Sequence, residues 1–252
     1  MEIITNANSK ADKFDLGAIN DAVVAIYKPK GPTSHDVIDS LRRITGIRRI
    51  GHAGTLDPLA DGVLIVGIGK GTSKLFELTG GSKEYLAEVT LGLVSMTDDS
   101  EGPFHVPAWS LVNDLGGGNV DNSNEGNMNN RDVPITPPPL SDVQNVLQKF
   151  IGNILQVPPA LSALKINGTP AYKHFRKGKP VEMKPRPVLI YGIHVENYSF
   201  PILKIRVKTG PGVYIRSLAR DIGESLKLGG YLSALTRTEA CGVKIEEAIR
   251  IN

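Results

Sequence analysis

Gly51-His52-Ala53-Gly54-Thr55-Leu56-Asp57-Pro58-Leu59-Ala60-Asp61-Gly62 runs directly into Val63-Leu64-Ile65-Val66-Gly67-Ile68. The first stretch is rich in Gly and Pro and reads as an irregular loop. The second is an unbroken apolar run, the mark of a central strand buried on both faces. A loop that enters such a strand holds its side chains at the edge of the core. Asp57 stands there, and Pro58 keeps it out of helical geometry. Burial and any cationic neighbour decide the state of a carboxyl in that position, and a carboxylate so placed can act as a nucleophile. An isolated Asp-Pro is more often an Asx-turn or a cap.

Outward from this segment the chain mixes strands and helices. Val23 to Tyr27 is a short buried strand, Lys28 to Thr33 a turn, and Ser34 a candidate N-cap. Val37, Ile38, Leu41 and Ile44 have helical spacing, and Gly46 ends that helix. Thr72 to Leu78 reads as a short helix. Lys83 to Leu91 alternates, with Tyr85, Ala87, Val89 and Leu91 on one face. A helix is expected from Pro137-Pro138-Pro139-Leu140-Ser141 to about Ile151, and Pro158-Pro159 breaks the chain. Val188 to Tyr198 and Ile202 to Lys208 are strands expected to be neighbours. Gly210-Pro211-Gly212 turns into a helix from Ile215 to Leu226, and a short helical pattern recurs near Ile245 to Ile249. The elements do not alternate strictly, so the class is α+β. Residues 1–20 read as a flexible arm, and the Asn- and Gly-rich residues 113–132 as a disordered insertion loop.

The 252 residues include one cysteine, Cys241, so neither an intramolecular disulfide nor a cysteine-based zinc site is expected. No apolar run reaches transmembrane length and no secretory signal opens the chain, so a cytoplasmic protein is expected. The five histidines lack metal-ligand spacing, and no metal is expected. Gly67-Ile68-Gly69-Lys70-Gly71-Thr72 has Leu64 where a phosphate loop needs glycine. Its glycines are better read as shaping the exit of a strand.

Net charge is only +3, but it is segregated. Residues 161–220 hold 12 Lys and Arg against Glu182 and Glu196, and residues 95–135 hold seven acids against Arg131. A basic stretch of that density is the footprint of a polyanion binder, or simply a solvated surface. Within it, Gly212-Val213-Tyr214-Ile215-Arg216 puts an arginine in the first turn of a helix. The macrodipole disfavours a cation there, so Arg216 is either a plain surface arginine, the commoner case for such a segment alone, or the partner of a fixed carboxylate or phosphate. Tyr85 is either a core tyrosine or a surface on which a base can stack.

Taken in order, these segments resemble the TruB family of pseudouridine synthases. The likeness is carried by Lys28-Pro29-x-Gly31-x-Thr33-Ser34, by His52-x-Gly54-Thr55-Leu56-Asp57-Pro58-x-Ala60-x-Gly62-Val63-Leu64 and by Lys83-x-Tyr85. It continues through Pro158-Pro159-x-x-Ser162-Ala163-x-Lys165-x-x-Gly168, Arg176-x-Gly178 and Arg186-x-Val188. It ends with Gly212-x-Tyr214-Ile215-Arg216-Ser217-Leu218 and Leu235-x-Arg237-Thr238. The resemblance implies a mixed, mainly antiparallel sheet flanked by helices, formed by residues 21–252, with a basic insertion at 158–187 that covers RNA. It implies isomerisation of the T-loop uridine of tRNA, position 55, after base flipping. Asp57 would be the nucleophile, Arg216 would pair with it, and Tyr85 would pack on the target base. His52, Lys28, Lys165, Arg176, Lys177, Tyr214 and Arg237 would serve RNA binding, with Lys28 supporting the site from behind. No cofactor and no protein partner are expected, the T-arm of tRNA is the expected partner, and the chain is expected to be a monomer.

Departures from the family pattern are Leu161 in place of an aromatic residue and Phe175 in place of a small one. The chain also stops soon after Thr238, so no C-terminal RNA-binding domain is expected. Two other readings compete: a guide-RNA-dependent catalytic subunit, and a non-catalytic module that binds or folds tRNA.

Overall fold

The apolar run at 63–68 is the heart of a long strand in a sheet that continues on both sides of it. The computed structural model describes residues 2–6, 19–106, 136–162, 164–166, 168–176 and 181–251, with Lys165, Phe175 and Arg176 as backbone only. The 113–132 loop, residues 7–18 and Lys177 lie outside the described residues; Ile3 and Ile4, expected as part of a flexible arm, instead pair in the main sheet opposite Val23 and Val24.

The chain begins with β1 (Ile3–Ile4), β2 (Ala22–Lys28), α1 (Ser34–Thr45), β3 (Ile50–His52) and β4 (Ala60–Ile68). The quoted loop is thus shorter than its composition suggested, because β3 and β4 take residues from both of its ends. β2 lies antiparallel to β4, with Ile26 opposite Leu64. Val37, Ile38 and Leu41 of α1 pack on that pair with Val24, Leu64 and Val66. Ile44, expected on the same face, is 42% exposed. It lies at the margin, in a shallow groove with Tyr27, Pro29 and Ile251. The N-cap is Thr33 rather than Ser34, in a capping box with Asp36. Gly46 closes the helix in the left-handed conformation.

Two glycines of this region have steric reasons. A Cβ on Gly71 would collide with the Ala22 carbonyl, which accounts for the glycines at the exit of β4 without any phosphate. Gly62 has φ +115° and its Cβ would run into the Arg237 backbone. Gly62→Ala is expected to cost roughly 3–5 kcal/mol, because strain and backbone collision act together. Urea unfolding of the purified variant measures it.

Downstream follow α2 (Leu75–Thr79) after a 3₁₀ turn at Gly69–Lys74, then β5 (Lys83–Leu91), β6 (Val94–Ser95) and β7 (Phe104–His105). β5 alternates as read, with Tyr85, Ala87, Val89 and Leu91 buried. Next come α3 (Leu140–Gln148), β8 (Gly152–Gln156), β9 (Lys165–Ile166), β10 (Thr169–Pro170), α4 (Ala171–Arg176), β11 (Arg186–Ser199) and β12 (Ile202–Thr209). The chain closes with α5 (Ile215–Ser225), β13 (Gly230–Ala240), β14 (Val243–Lys244) and β15 (Ile249–Arg250). The helical pattern near Ile245 is a single 3₁₀ turn that gives way to β15.

The sheet runs β1-β2-β4-β13-β5-β12-β11-β8. β4 pairs parallel with β13, β1 and β15 pair parallel with β2, and the other pairings are antiparallel. The expected mixed, mainly antiparallel sheet with flanking helices is what the chain forms. Its largest core lies between β5, β11, β12 and β13 and the helices α3 and α5, with Leu218, Ala219 and Ile222 of α5 fully buried. β4 and β13 therefore meet at the centre, and α5 packs on β13 and β5.

Candidate active site

The loop carrying Asp57 is fastened from beneath by groups that composition alone would put on the surface. The buried Ser34 hydroxyl donates to the Leu56 carbonyl at 2.9 Å and accepts the Leu56 N–H at 2.8 Å. The Gly31 N–H donates to the Pro58 carbonyl at 2.8 Å. Lys28, fully buried, donates through Nζ to Ala60 O at 2.6 Å and to Pro29 O at 2.9 Å. Desolvation lowers its pKa to about 8. Arg237, 1% exposed, donates from Nε to Val63 O at 2.6 Å and from Nη2 to Gly54 O at 3.2 Å. Both cations satisfy loop and strand carbonyls that would otherwise be unpaired, and Arg237 also lines the cavity that holds Asp57.

Opposite the loop, the N-terminus of α5 is held by Gln156, itself buried, which accepts the Tyr214 N–H at 2.8 Å and donates to Tyr214 O at 3.1 Å. Arg216 then points back at the loop. Its Nη2 donates to Asp57 Oδ1 at 3.3 Å, and Nε lies 2.9 Å from Asp57 Oδ2 but off the N–H axis, an ion-pair contact. Nη2 also donates to Leu161 O at 2.9 Å, and Nη1 to Thr97 O at 3.2 Å. A second carboxylate, Asp99 Oδ2, lies 3.3 Å from Nη1. Asp99 is itself held by the Thr97 hydroxyl at 2.6 Å and the Glu101 N–H at 3.0 Å. The Arg216 side chain is 7% exposed and that of Asp57 35%. The guanidinium is thus structural on three sides and presents Asp57 on the fourth. The fixed anion that Arg216 needed is a pair of carboxylates.

Asp57, Tyr85 and Arg216 line one cavity of about 490 Å³. Leu56, Val213, Ile215 and Leu235 give it apolar walls, and Tyr85 is 8% exposed. The three expected catalytic residues are therefore brought together from the loop, from β5 and from α5. Tyr214 lines the same cavity, half-buried, and burial raises its pKa. His52 is half-buried on β3 with Nδ1 unpartnered, and burial lowers its pKa with help from Arg237. Tyr172, Leu161 and Ser162 close the cavity from the insertion. The side chains of Lys165 and Arg176 lie outside the described residues, as does Lys177.

The sequence did not single out Asp99, Thr97 or Gln156. A signal for Asp99 existed, because the acids of 98–101 and the arginines of α5 are each other's complement. Indeed the linear basic stretch is partly neutralised within the fold. Lys204 meets Glu88 at 2.8 Å, Arg206 meets Glu196 at 2.6 Å and Glu84 at 2.9 Å, and Lys208 meets Glu239 at 4.0 Å. Arg220 meets Asp98 and Asp221, both at 2.8 Å. The charge available to a polyanion is correspondingly smaller than the count along the chain.

Burial pushes the Asp98 carboxyl up to about 6, against the opposing pull of Arg220 and Arg216. A carboxyl whose pKa is higher folded than unfolded favours the folded state most at low pH. That contribution is lost as pH rises from about 4 through about 6. The stability of the wild type relative to Asp98→Asn should therefore fall over that interval, which paired thermal melts at stepped pH would record.

Among the described residues no cluster of metal-ligating side chains occurs, and no helix is long and apolar enough to cross a membrane. A model of the TruB family pseudouridylate synthase N-terminal domain matches residues 42–115 and 109–215. The chain is 38% identical over 232 residues to tRNA pseudouridine synthase B of Clostridium novyi, covering 92% of this chain and 71% of that protein. It is 37% identical over 242 residues to the protein of the same name from Corynebacterium diphtheriae, covering 92% of this chain and 73% of that one. Among solved structures, a Cbf5-Nop10-Gar1 complex contains a chain 27% identical, with a TM-score of 0.63 over 94% of this chain. An H/ACA ribonucleoprotein bound to substrate RNA contains one 26% identical, with a TM-score of 0.59 over 90%. The present chain spans about half the length of each, 53% and 50%. The ordered motifs, the cavity they enclose and these likenesses agree: the chain belongs to the TruB family of pseudouridine synthases, which are isomerases.

Proposed function

We propose that the chain isomerises the T-loop uridine of tRNA, position 55, to pseudouridine, with Asp57 as the nucleophile. The observation that carries this reading is the Asp57 carboxylate, held by the Arg216 guanidinium on the wall of a cavity with apolar sides. The name shared by the relatives at 37% and 38% identity supports tRNA as the substrate. The reaction breaks the N1–C1′ bond, forms a C5–C1′ bond and moves a proton from C5 to N1, so nothing enters or leaves. It asks for a nucleophile, a water-poor pocket and a base held during its rotation. Asp57 supplies the first. Bound RNA closes the open side of the cavity against its apolar walls and excludes water, and in that low-dielectric setting the guanidinium is worth more than in solution. The Tyr85 ring packs on the base.

A uridine can reach Asp57 only after leaving its stack, so the enzyme acts on a flipped nucleotide. Lys165, Arg176 and Lys177 of the covering insertion contact phosphates, and His52 and Tyr214 contact the rearranged loop. Its site of action is the cytoplasm, it works as a monomer, and it needs no protein partner.

The likeness to chains solved in H/ACA complexes supports a second reading, a catalytic subunit directed by a guide RNA. One experiment separates them: position-mapped pseudouridine formation on an unmodified tRNA transcript, without guide or partner, wild type beside Asp57→Ala. Product at the T-loop uridine from the wild type alone is expected. A folded wild type that yields none, and turns over only when a guide is added, favours the second reading.

A further inference from the structure

Arg216 and Arg220 stand one helical turn apart on α5, and their partners Asp99 and Asp98 are neighbours in the loop after β6. The result is a ladder of two ion pairs, at 3.3 Å and 2.8 Å, of which only the first touches Asp57. Neither Asp98 nor Arg220 lines the cavity. Asp98 is nevertheless buried, and its backbone is left-handed at φ +61°. That backbone is pinned at both ends: its N–H donates to Ser95 O at 3.1 Å, and its carbonyl accepts the Leu232 N–H of β13 at 3.0 Å.

Arg220 has a second attachment, from Nη2 to Val157 O at 2.9 Å, and the Ser217 hydroxyl donates to the same carbonyl at 2.8 Å. Val157 leads through Pro158-Pro159 to Leu161, whose carbonyl accepts from Arg216. Arg220 therefore ties to α5 both segments that grip the Arg216 guanidinium: the loop with Thr97 and Asp99, and the strand exit with Leu161.

We propose that Asp98 and Arg220 form a positioning pair for the isomerisation, fixing these two segments on α5 and through them the Arg216 guanidinium on Asp57. The proposal rests on the role assigned to Asp57 above. Burial raises the Asp98 pKa even beside Arg220 and Arg216, with Asp221 and Asp99 adding repulsion. A buried salt bridge is weak evidence for stability; what this one visibly does is geometric, joining the Asp98 turn and the Val157 strand exit to α5. Catalysis is sensitive to such geometry, since a shift of about 1 Å can cost about a hundredfold in rate.

The test is single-turnover isomerisation of unmodified tRNA transcript by wild type, Asp98→Asn, Arg220→Lys and the double variant. Transcript affinity is measured separately, and Asp57→Asn serves as the blank. Asp98→Asn is expected to slow the bound-state rate about tenfold or more, with affinity within about twofold, both read at a temperature where the variant is folded. The double variant should be no slower than the slower single, since both break one linkage. A rate within about twofold of wild type overturns the pair. A loss confined to affinity does the same, because it makes Arg220 an RNA contact. If Asp98→Asn fails to fold, Arg220→Lys decides by the same two readouts. It keeps the charge while losing the fork to Asp98 and Val157. A wild type with no activity overturns the parent reading and this proposal with it. An active wild type with unaffected variants overturns the pair alone.

Discussion

Asp57→Asn should lower single-turnover pseudouridine formation by about 10⁴-fold or more, the scale on which a nucleophile that acts with its partners is lost. Asparagine is nearly isosteric and can still accept the hydrogen bond from Arg216 Nη2. What it lacks is the charge that makes the oxygen a nucleophile. The fold should survive. Asp57 is 35% exposed on its side chain, and Arg216 keeps Asp99, Thr97 O and Leu161 O as partners. Affinity for unmodified transcript should stay within a few-fold, because the substitution leaves every cation in place. Release of tritium from C5 of labelled uridine reads the rate, and filter binding reads the affinity. A rate within about tenfold of wild type would make another group the nucleophile and reduce Asp57 to a structural acid.

The motif positions and the long strands were legible in the sequence because each had one dominant physical cause. The apolar run of β4 is buried on both faces, and β5 alternates because only one of its faces is. β13 has neither signature, although it lies at the centre of the sheet. Two register shifts, between Leu232 and Ala234 and between Arg237 and Glu239, put its inward residues out of phase. It also buries Arg237, which reads as a surface residue. β8 is a short edge strand that exposes Leu155 and buries Gln156, the reverse of what polarity suggests.

The site was legible to the same degree. Asp57, Tyr85 and Arg216 stand in motifs whose order survives in one dimension. Asp99 stands in a turn after β6, and only the packing of that turn on α5 reveals that it shares a guanidinium with Asp57. Lys28 and Arg237 illustrate the converse: their charge is plain in the sequence, but only the fold shows the carbonyls each one satisfies.

Arg216→Lys should lower the bound-state rate by about 10²- to 10³-fold while leaving transcript affinity nearly unchanged, because the two side chains differ in shape rather than charge. The guanidinium spans four partners: Asp57 from Nε and Nη2, Leu161 O from Nη2, and Thr97 O and Asp99 from Nη1. An ammonium is a single point with three donors. At 7% exposure it has no room to choose water instead. It can be shared between Asp99 and a carbonyl, or it can face Asp57, but it cannot hold the fork that fixes the angle of the carboxylate. If it turns to Asp99, Asp57 is left on the cavity wall without its cation, mobile and badly aimed. If it turns to Asp57, the turn at Thr97–Asp99 and the carbonyl of Leu161 lose their common partner and the walls of the cavity loosen. Either way the ground-state complex with RNA is preserved, since Arg216 faces carboxylates and carbonyls rather than a phosphate. The discriminating comparison is therefore between rate and affinity for the same protein. A lysine variant that binds transcript tenfold more weakly but turns it over at the wild-type rate would mean that the guanidinium serves the RNA backbone. One that binds normally and barely reacts would mean that the orientation of Asp57, and not only its charge, is what α5 provides.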